Sequence, residues 1–138
     1  MKKYVASAFL VTSLLISGCA SNRLELTGGI DPAEKTISAP AGSMAILGPV
    51  KRKLVVIGLK VDEFVQMNTR YKLTVNTVRT QLLCWNEWSE VAYEIMFLDK
   101  KARTEVFRIS GESCDSYSDV GDAFENALKA AEAKSKGR

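Results

Sequence analysis

The sequence predicts an α+β domain: a small, mainly antiparallel sheet, made of a three-stranded meander plus one further strand, packed by a C-terminal amphipathic helix. Three observations lead there. Leu54 to Val61 is a β-branched, apolar run of the kind found in strands covered on both faces. Tyr71 to Ile109 alternates apolar and polar residues between polar turns. After that the period changes, and Val120, Phe124, Ala127, Leu128 and Ala131 recur at helical spacing.

The first strand is expected at Leu54–Val61, closed by Asp62 and Glu63. Tyr71 to Trp85 is the second. Tyr71, Leu73 and Val75 share one parity, whereas Val78, Leu82 and Cys84 share the other. This flip predicts a bulge near Thr77. The turn Asn86-Glu87-Trp88-Ser89 leads into Val91, Tyr93, Ile95 and Phe97 at period two, and Asp99-Lys100-Lys101 leads into Phe107 and Ile109. These form the meander. The helix is expected from Asp119 to Lys134. Ser118 or Asp119 would cap it, and Asp122 and Glu125 would suit the positive end of its dipole. The helix stripe should lie across one sheet face.

Ahead of these elements, residues 20 to 50 hold all three prolines, Pro32, Pro40 and Pro49, and no sustained apolar period. Residues 20 to 35 read as a flexible tether with a reach on the order of 20 Å. Ile37 to Leu47 can add one short edge strand.

The beginning of the chain has the build of a secretory signal. Met1-Lys2-Lys3 is a short positive segment and Tyr4 to Ile16 an apolar one. That run meets small residues before the roughly 20 apolar residues a membrane span needs. Ile16-Ser17-Gly18-Cys19 follows and resembles the lipobox of bacterial lipoproteins: an aliphatic residue, two small ones and a Cys. The resemblance covers residues 1 to 20. It implies cleavage before Cys19, a diacylglyceryl group on the Cys19 sulfur and acylation, commonly palmitate, of the new amino group. Ala20, where an Asp would imply retention at the inner membrane, points by the same resemblance to the outer membrane, periplasmic face. The expected organisation is a removed signal peptide at 1–18, the lipidated Cys and tether at 19–50, and a single domain at 51–138. Residues 54 to 134 further resemble, in strand order and Ala-rich last helix, small envelope lipoproteins with curli-secretion-type α/β domains, without a diagnostic residue.

Loss of Lys2 and Lys3 changes the charge argument. The whole chain has 19 Lys and Arg against 16 Asp and Glu, so the mature chain has 17 against 16. Near neutrality gives no electrostatic case for nucleic acid, and no nucleic-acid motif is present.

The chain contains no His, which removes His-based triads and most zinc sites. Phosphate loops, CxxC pairs and paired-carboxylate motifs are absent as well. Asp115, Asp119 and Asp122 read as helix-start residues. The expectation is a chain that is not an enzyme and needs no cofactor or metal.

With Cys19 assigned to lipid, Cys84 and Cys114 are an even pair in an oxidising compartment. Either they are bonded, which would fix the start of the last helix against the meander, or they are two buried thiols. Trp85 and Trp88 flank the first meander turn and suggest partner binding. The plainer arrangement folds one or both back over the sheet or under the helix.

Three functions fit. The foremost is a non-catalytic accessory, scaffold or binding component of an envelope assembly or of envelope integrity, held to the membrane through Cys19 and working with an envelope protein partner. The alternative is a periplasmic inhibitor or immunity lipoprotein that blocks a toxin or hydrolase with a charged protruding loop such as Asn86 to Glu90. A ligand carrier would need an apolar cavity between helix and sheet.

Overall fold

The computed structural model describes residues 22–42, 44–63, 68–85, 87–114 and 117–137. Cys19, the signal segment, Asn86, Asp115 and Ser116 lie outside these. The chain runs β1 (Arg23–Leu26), β2 (Thr36–Ser38), α1 (Leu47–Val56), β3 (Lys60–Asp62), β4 (Tyr71–Leu83), β5 (Ser89–Asp99), β6 (Thr104–Ser113) and α2 (Ser118–Lys136). One mixed sheet has the order β1-β6-β5-β4-β2-β3. β2 is parallel to β3 and β4, and the other pairings are antiparallel. The expected sheet is therefore corrected: the meander β4-β5-β6 is present, but within six strands, and the helical layer has two members.

The largest departure falls on Leu54–Val61. Leu47, Pro49, Val50 and Leu54 are the buried stripe of α1, while Val55 and Val56 face solvent. Pro49 is accommodated because the first-turn amides of a helix need no intrahelical partner. Gly58, at a φ of +83°, ends the helix and donates its N–H to the Val55 carbonyl at 2.9 Å, the closure glycine provides at little cost. Only Lys60–Asp62 of the expected strand region is extended.

The segment read as tether is also built into the domain. β1 pairs along β6, Ile30 is buried, and Ile37 of β2 is fully buried between β3 and β4 rather than at an edge.

Both helices cover the same sheet face. Tyr71, Leu73, Val75, Tyr93, Ile95, Phe97, Phe107 and Ile109 meet the α1 stripe and Val120, Phe124, Ala127, Leu128 and Ala131 of α2. An aromatic row crosses this core: the centroids of Tyr71–Phe97, Phe97–Phe107 and Phe107–Phe124 are 5.2, 5.1 and 5.5 Å apart. The helices approach closely at Gly121, where an added Cβ would stand 3.1 Å from Pro49 Cβ. Lys53 of α1 is paired with Glu125 and Asp122 of α2.

The start of α2 differs from the cap expected at Ser118 or Asp119. Tyr117 takes the N-cap position with a left-handed φ of 58° and no side-chain cap bond. Asp119 lies two residues further on, in the first turn, and accepts from Ser113 Oγ at 3.2 Å.

Arg70 organises the opposite end of the sheet. Its Nε and Nη2 donate to Asp99 Oδ2 at 3.1 and 2.9 Å, and Nη1 donates to Asp31 Oδ2 at 2.9 Å. Asp99 Oδ1 also accepts the amides of Lys101 and Ala102, both at 3.0 Å, which closes the β5–β6 turn.

Candidate functional site

The feature least explained by folding is the far end of the β4–β5 hairpin. The helical layer covers β4 as far as Val75 and β5 as far as Tyr93; from Asn76 to Leu83 every β4 side chain is exposed or half-exposed. Measured along β5, the four residues from Tyr93 back to Ser89 carry the hairpin about 14 Å past the core at 3.4 Å per residue. The pairing shifts between Arg79 and Leu83, so the irregularity lies beyond Thr77, where it was expected.

Val78, Leu82, Leu83, Trp85 and Trp88 are all exposed on this overhang. Trp85 is 91% and Trp88 73% solvent-accessible, so neither folds back onto the sheet or under α2. Five large apolar side chains are thus exposed along one hairpin of a small domain, more than singly scattered surface apolar residues account for. Glu87, with φ at 65°, carries the sharp turn between the two tryptophans. Cys84 closes it, accepting the Glu87 amide at 2.9 Å and donating its own amide to Trp88 O at 2.7 Å.

The overhang is held by a covalent bond. Cys84 and Cys114 form a disulfide with α-carbons 5.5 Å apart. β4 and β6 flank β5, so their ends would ordinarily stand about two strand spacings, roughly 9.6 Å, apart. The bond pulls the end of β4 across the start of β5 toward β6. It therefore sets the direction in which Trp85 and Trp88 point.

Near the base of the hairpin, Asn76, Val78, Ala92, Glu94, Ser110 and Glu112 line an open groove of about 560 Å³ on the helix-free face. Glu94 is ion-paired with Arg108 at 3.2 Å. Tyr93, reaching the groove from the other side, donates to Asn22 Oδ1. Burial, with the charges of Asp119 and Glu112 adding to it, pushes its phenol up to about 12, so it stays a hydrogen-bond donor at neutral pH. These groups offer hydrogen bonds and apolar contact. Among the described residues no cluster of three or more His, Cys, Asp or Glu side chains is arranged to hold a metal, and no helix is long and apolar enough to cross a membrane.

Cys84 and Cys114 are therefore brought together, Trp85 and Trp88 share one tip, and Cys19 lies outside the described residues. Sequence reading had not grouped Val78, Leu82 and Leu83 with the tryptophans. Their signal was the parity flip itself, which put apolar residues where the sheet has no helix above it.

This is a two-layer α/β domain with both helices on one face of a mixed sheet. The same fold is seen in the PelC dodecamer from Paraburkholderia phytofirmans, at a TM-score of 0.51 and 12% identity over 82% of this chain and 95% of that one. A variant of that dodecamer aligns at a TM-score of 0.45 and 11% identity. A PDZ domain protein from Parabacteroides distasonis ATCC 8503 aligns at 0.47 and 11%, over 82% of this chain and 34% of that one. No family model and no curated protein matches the sequence.

Proposed function

We propose that the chain is a lipid-anchored envelope lipoprotein, on the periplasmic face of the outer membrane, whose domain is a non-catalytic docking and scaffold component of an envelope assembly. The observation that carries this is the disulfide-held hairpin with an exposed apolar tip. A chain that spends a covalent crosslink on fixing solvent-exposed tryptophans is built to present them. A disulfide also suits an oxidising compartment, which agrees with the export signal and leaves Cys19 as the odd thiol. The fold likeness to PelC supports the scaffold reading in one respect: this small domain can serve as a repeating subunit, as it does in that dodecamer. The inhibitor reading gains less support, because the described tip is led by tryptophan and leucine and its acids are only Glu87 and Glu90, the latter bonded to Thr80 at 3.0 Å.

Two measurements test the proposal. Growth with a palmitate analogue should label the wild type and leave Cys19→Ala unlabelled; label persisting in the variant refutes the anchor. Affinity purification of the lipidated protein from its own cells, followed by native mass spectrometry, should return it as an oligomer or with another envelope protein. Recovery as a monomer bound to one soluble enzyme would refute the scaffold role.

A further inference from the structure

We infer that the hairpin tip docks on the bilayer itself, with Trp85, Trp88, Leu82 and Leu83 seated among the lipid headgroups beside the anchor. The inference rests on the lipidation of Cys19 proposed above and names what the docking hairpin meets. It follows from where the covalent anchor must leave the fold.

β1 runs antiparallel to β6, with Arg23 level with Ser110, and Ser110 level with Glu94 of β5. Asn22 is thus level with Tyr93, and the Tyr93 hydroxyl donates to its side chain. The start of β1, the end of β4 and the end of β6 all lie at one end of the sheet. The chain therefore departs toward its anchor from the end that carries the tryptophans.

Reach then decides how the two sit. Cys19 precedes Asn22 by three residues, which span about 10 Å at most when fully extended. The tip lies four to five residues beyond Tyr93 along β5, about 13 to 17 Å at the rise of a strand. With the strands steep to the membrane, even the fully extended linking residues and the Cys19 side chain carry its sulfur out only to about the level of the tip. Lipid on that sulfur brings the tip to headgroup level or several ångströms below it. This is the depth, about 5 to 10 Å, at which interfacial apolar groups settle.

The side chains there suit that depth. Tryptophan is enriched at the membrane–water boundary, where its ring is apolar and its N–H remains wet. Leu82, Leu83 and Val78 extend the apolar surface, and all three are exposed. Arg79 on one strand and Glu87 and Glu90 near the turn leave little net charge on the hairpin tip itself. Insertion should therefore depend weakly on lipid charge and salt, unlike attraction to an anionic surface. The disulfide pins the end of β4 to the end of β6, and the open groove on the helix-free face remains available to proteins of the assembly.

The chain supplies its own probe, since Trp85 and Trp88 are its only tryptophans. The lipidated protein is reconstituted into phosphatidylcholine vesicles with and without bromine near the top of the acyl chains, and the mass of the N-terminal peptide reports lipid on Cys19. The expected result is blue-shifted emission, about a twofold or greater loss on brominated lipid, and shielding from acrylamide, all unchanged when phosphatidylglycerol is added. Emission typical of exposed tryptophan, open to acrylamide and indifferent to bromine, overturns the inference while leaving the anchor intact. Tryptophans shielded from acrylamide but unquenched by bromine overturn it in favour of a protein contact. A chain without lipid on Cys19 removes the reach argument and overturns both. Trp85→Phe and Trp88→Phe, measured singly, should each retain quenching, since both rings sit at the tip.

Discussion

Replacing Asp99 tests whether the polar network at the end away from the hairpin is a principal support of the sheet. Its side chain is only 5% exposed and accepts bonds from Arg70 and from the Lys101 and Ala102 amides. Breaking a buried ion pair by removing one partner costs about 3 to 5 kcal/mol. Arg70 is partly exposed and keeps Asp31 at 2.9 Å, so Asp99→Ala should fall at the low end, about 3 kcal/mol. Asp99→Asn keeps an acceptor for the turn amides and loses the charge, and should cost about 1 to 2 kcal/mol. The two variants also differ from wild type in pH response. Burial raises the Asp99 carboxyl, but the Arg70 hydrogen bond, the Ala102 and Lys101 amides and the Arg70 charge outweigh burial and hold it below the usual range. A depressed carboxyl contributes its full stability above the unfolded-state value, near 3.9, and loses it as pH falls through the lower folded value. Urea unfolding followed by near-ultraviolet circular dichroism should therefore show a gap between wild type and Asp99→Asn that is complete at pH 6 and shrinks below pH 4. Equal stability at pH 6, or a gap that does not shrink on acidification, would refute the reasoning.

Opening the disulfide with Cys84→Ser and Cys114→Ser together should cost about 3 to 4 kcal/mol by the loop-entropy model for a separation of 30 residues; denaturant midpoints and protease nicking between residues 79 and 91 check it, and unchanged nicking would contradict the pinned hairpin. Phe124→Ala removes a fully buried ring from the end of the aromatic row and should cost about 3 to 5 kcal/mol, read as a lowered urea midpoint. Glu125 is held down to about 2 by the hydrogen bonds it accepts from Lys129 and Lys53, which outweigh its desolvation, with the charges of the two lysines adding less. NMR titration of its side-chain carboxyl should find it ionised at pH 3, and an ordinary value would disprove the ion-pair geometry between α1 and α2.

What the sequence disclosed follows from how many explanations each pattern allows. Val120, Phe124, Ala127, Leu128 and Ala131 recur at a spacing no strand can use, so the C-terminal helix and its buried stripe were legible residue by residue. The period-two segments of β5 and β6 were legible for the same reason. Leu54 to Val61 was not, because a short continuous apolar run fits a buried strand and a helix edge equally. Two local signals pointed to the helix: Leu47, Val50 and Leu54 spaced for one face, and Gly58 placed to terminate it. β1 and β2 are four and three residues long, too short for periodicity, and are strands only because β6, β4 and β3 offer them backbone partners from elsewhere in the chain. The candidate site was half legible. Two tryptophans at a turn were visible, but whether they face solvent depends on where the helical layer stops, and that limit is set by the packing of α1 and α2. The misread tether matters most. Because β1 begins only four residues after Cys19, the proposed lipid anchor would leave the domain almost no slack, and the proposed membrane contact of the hairpin rests on that shortness.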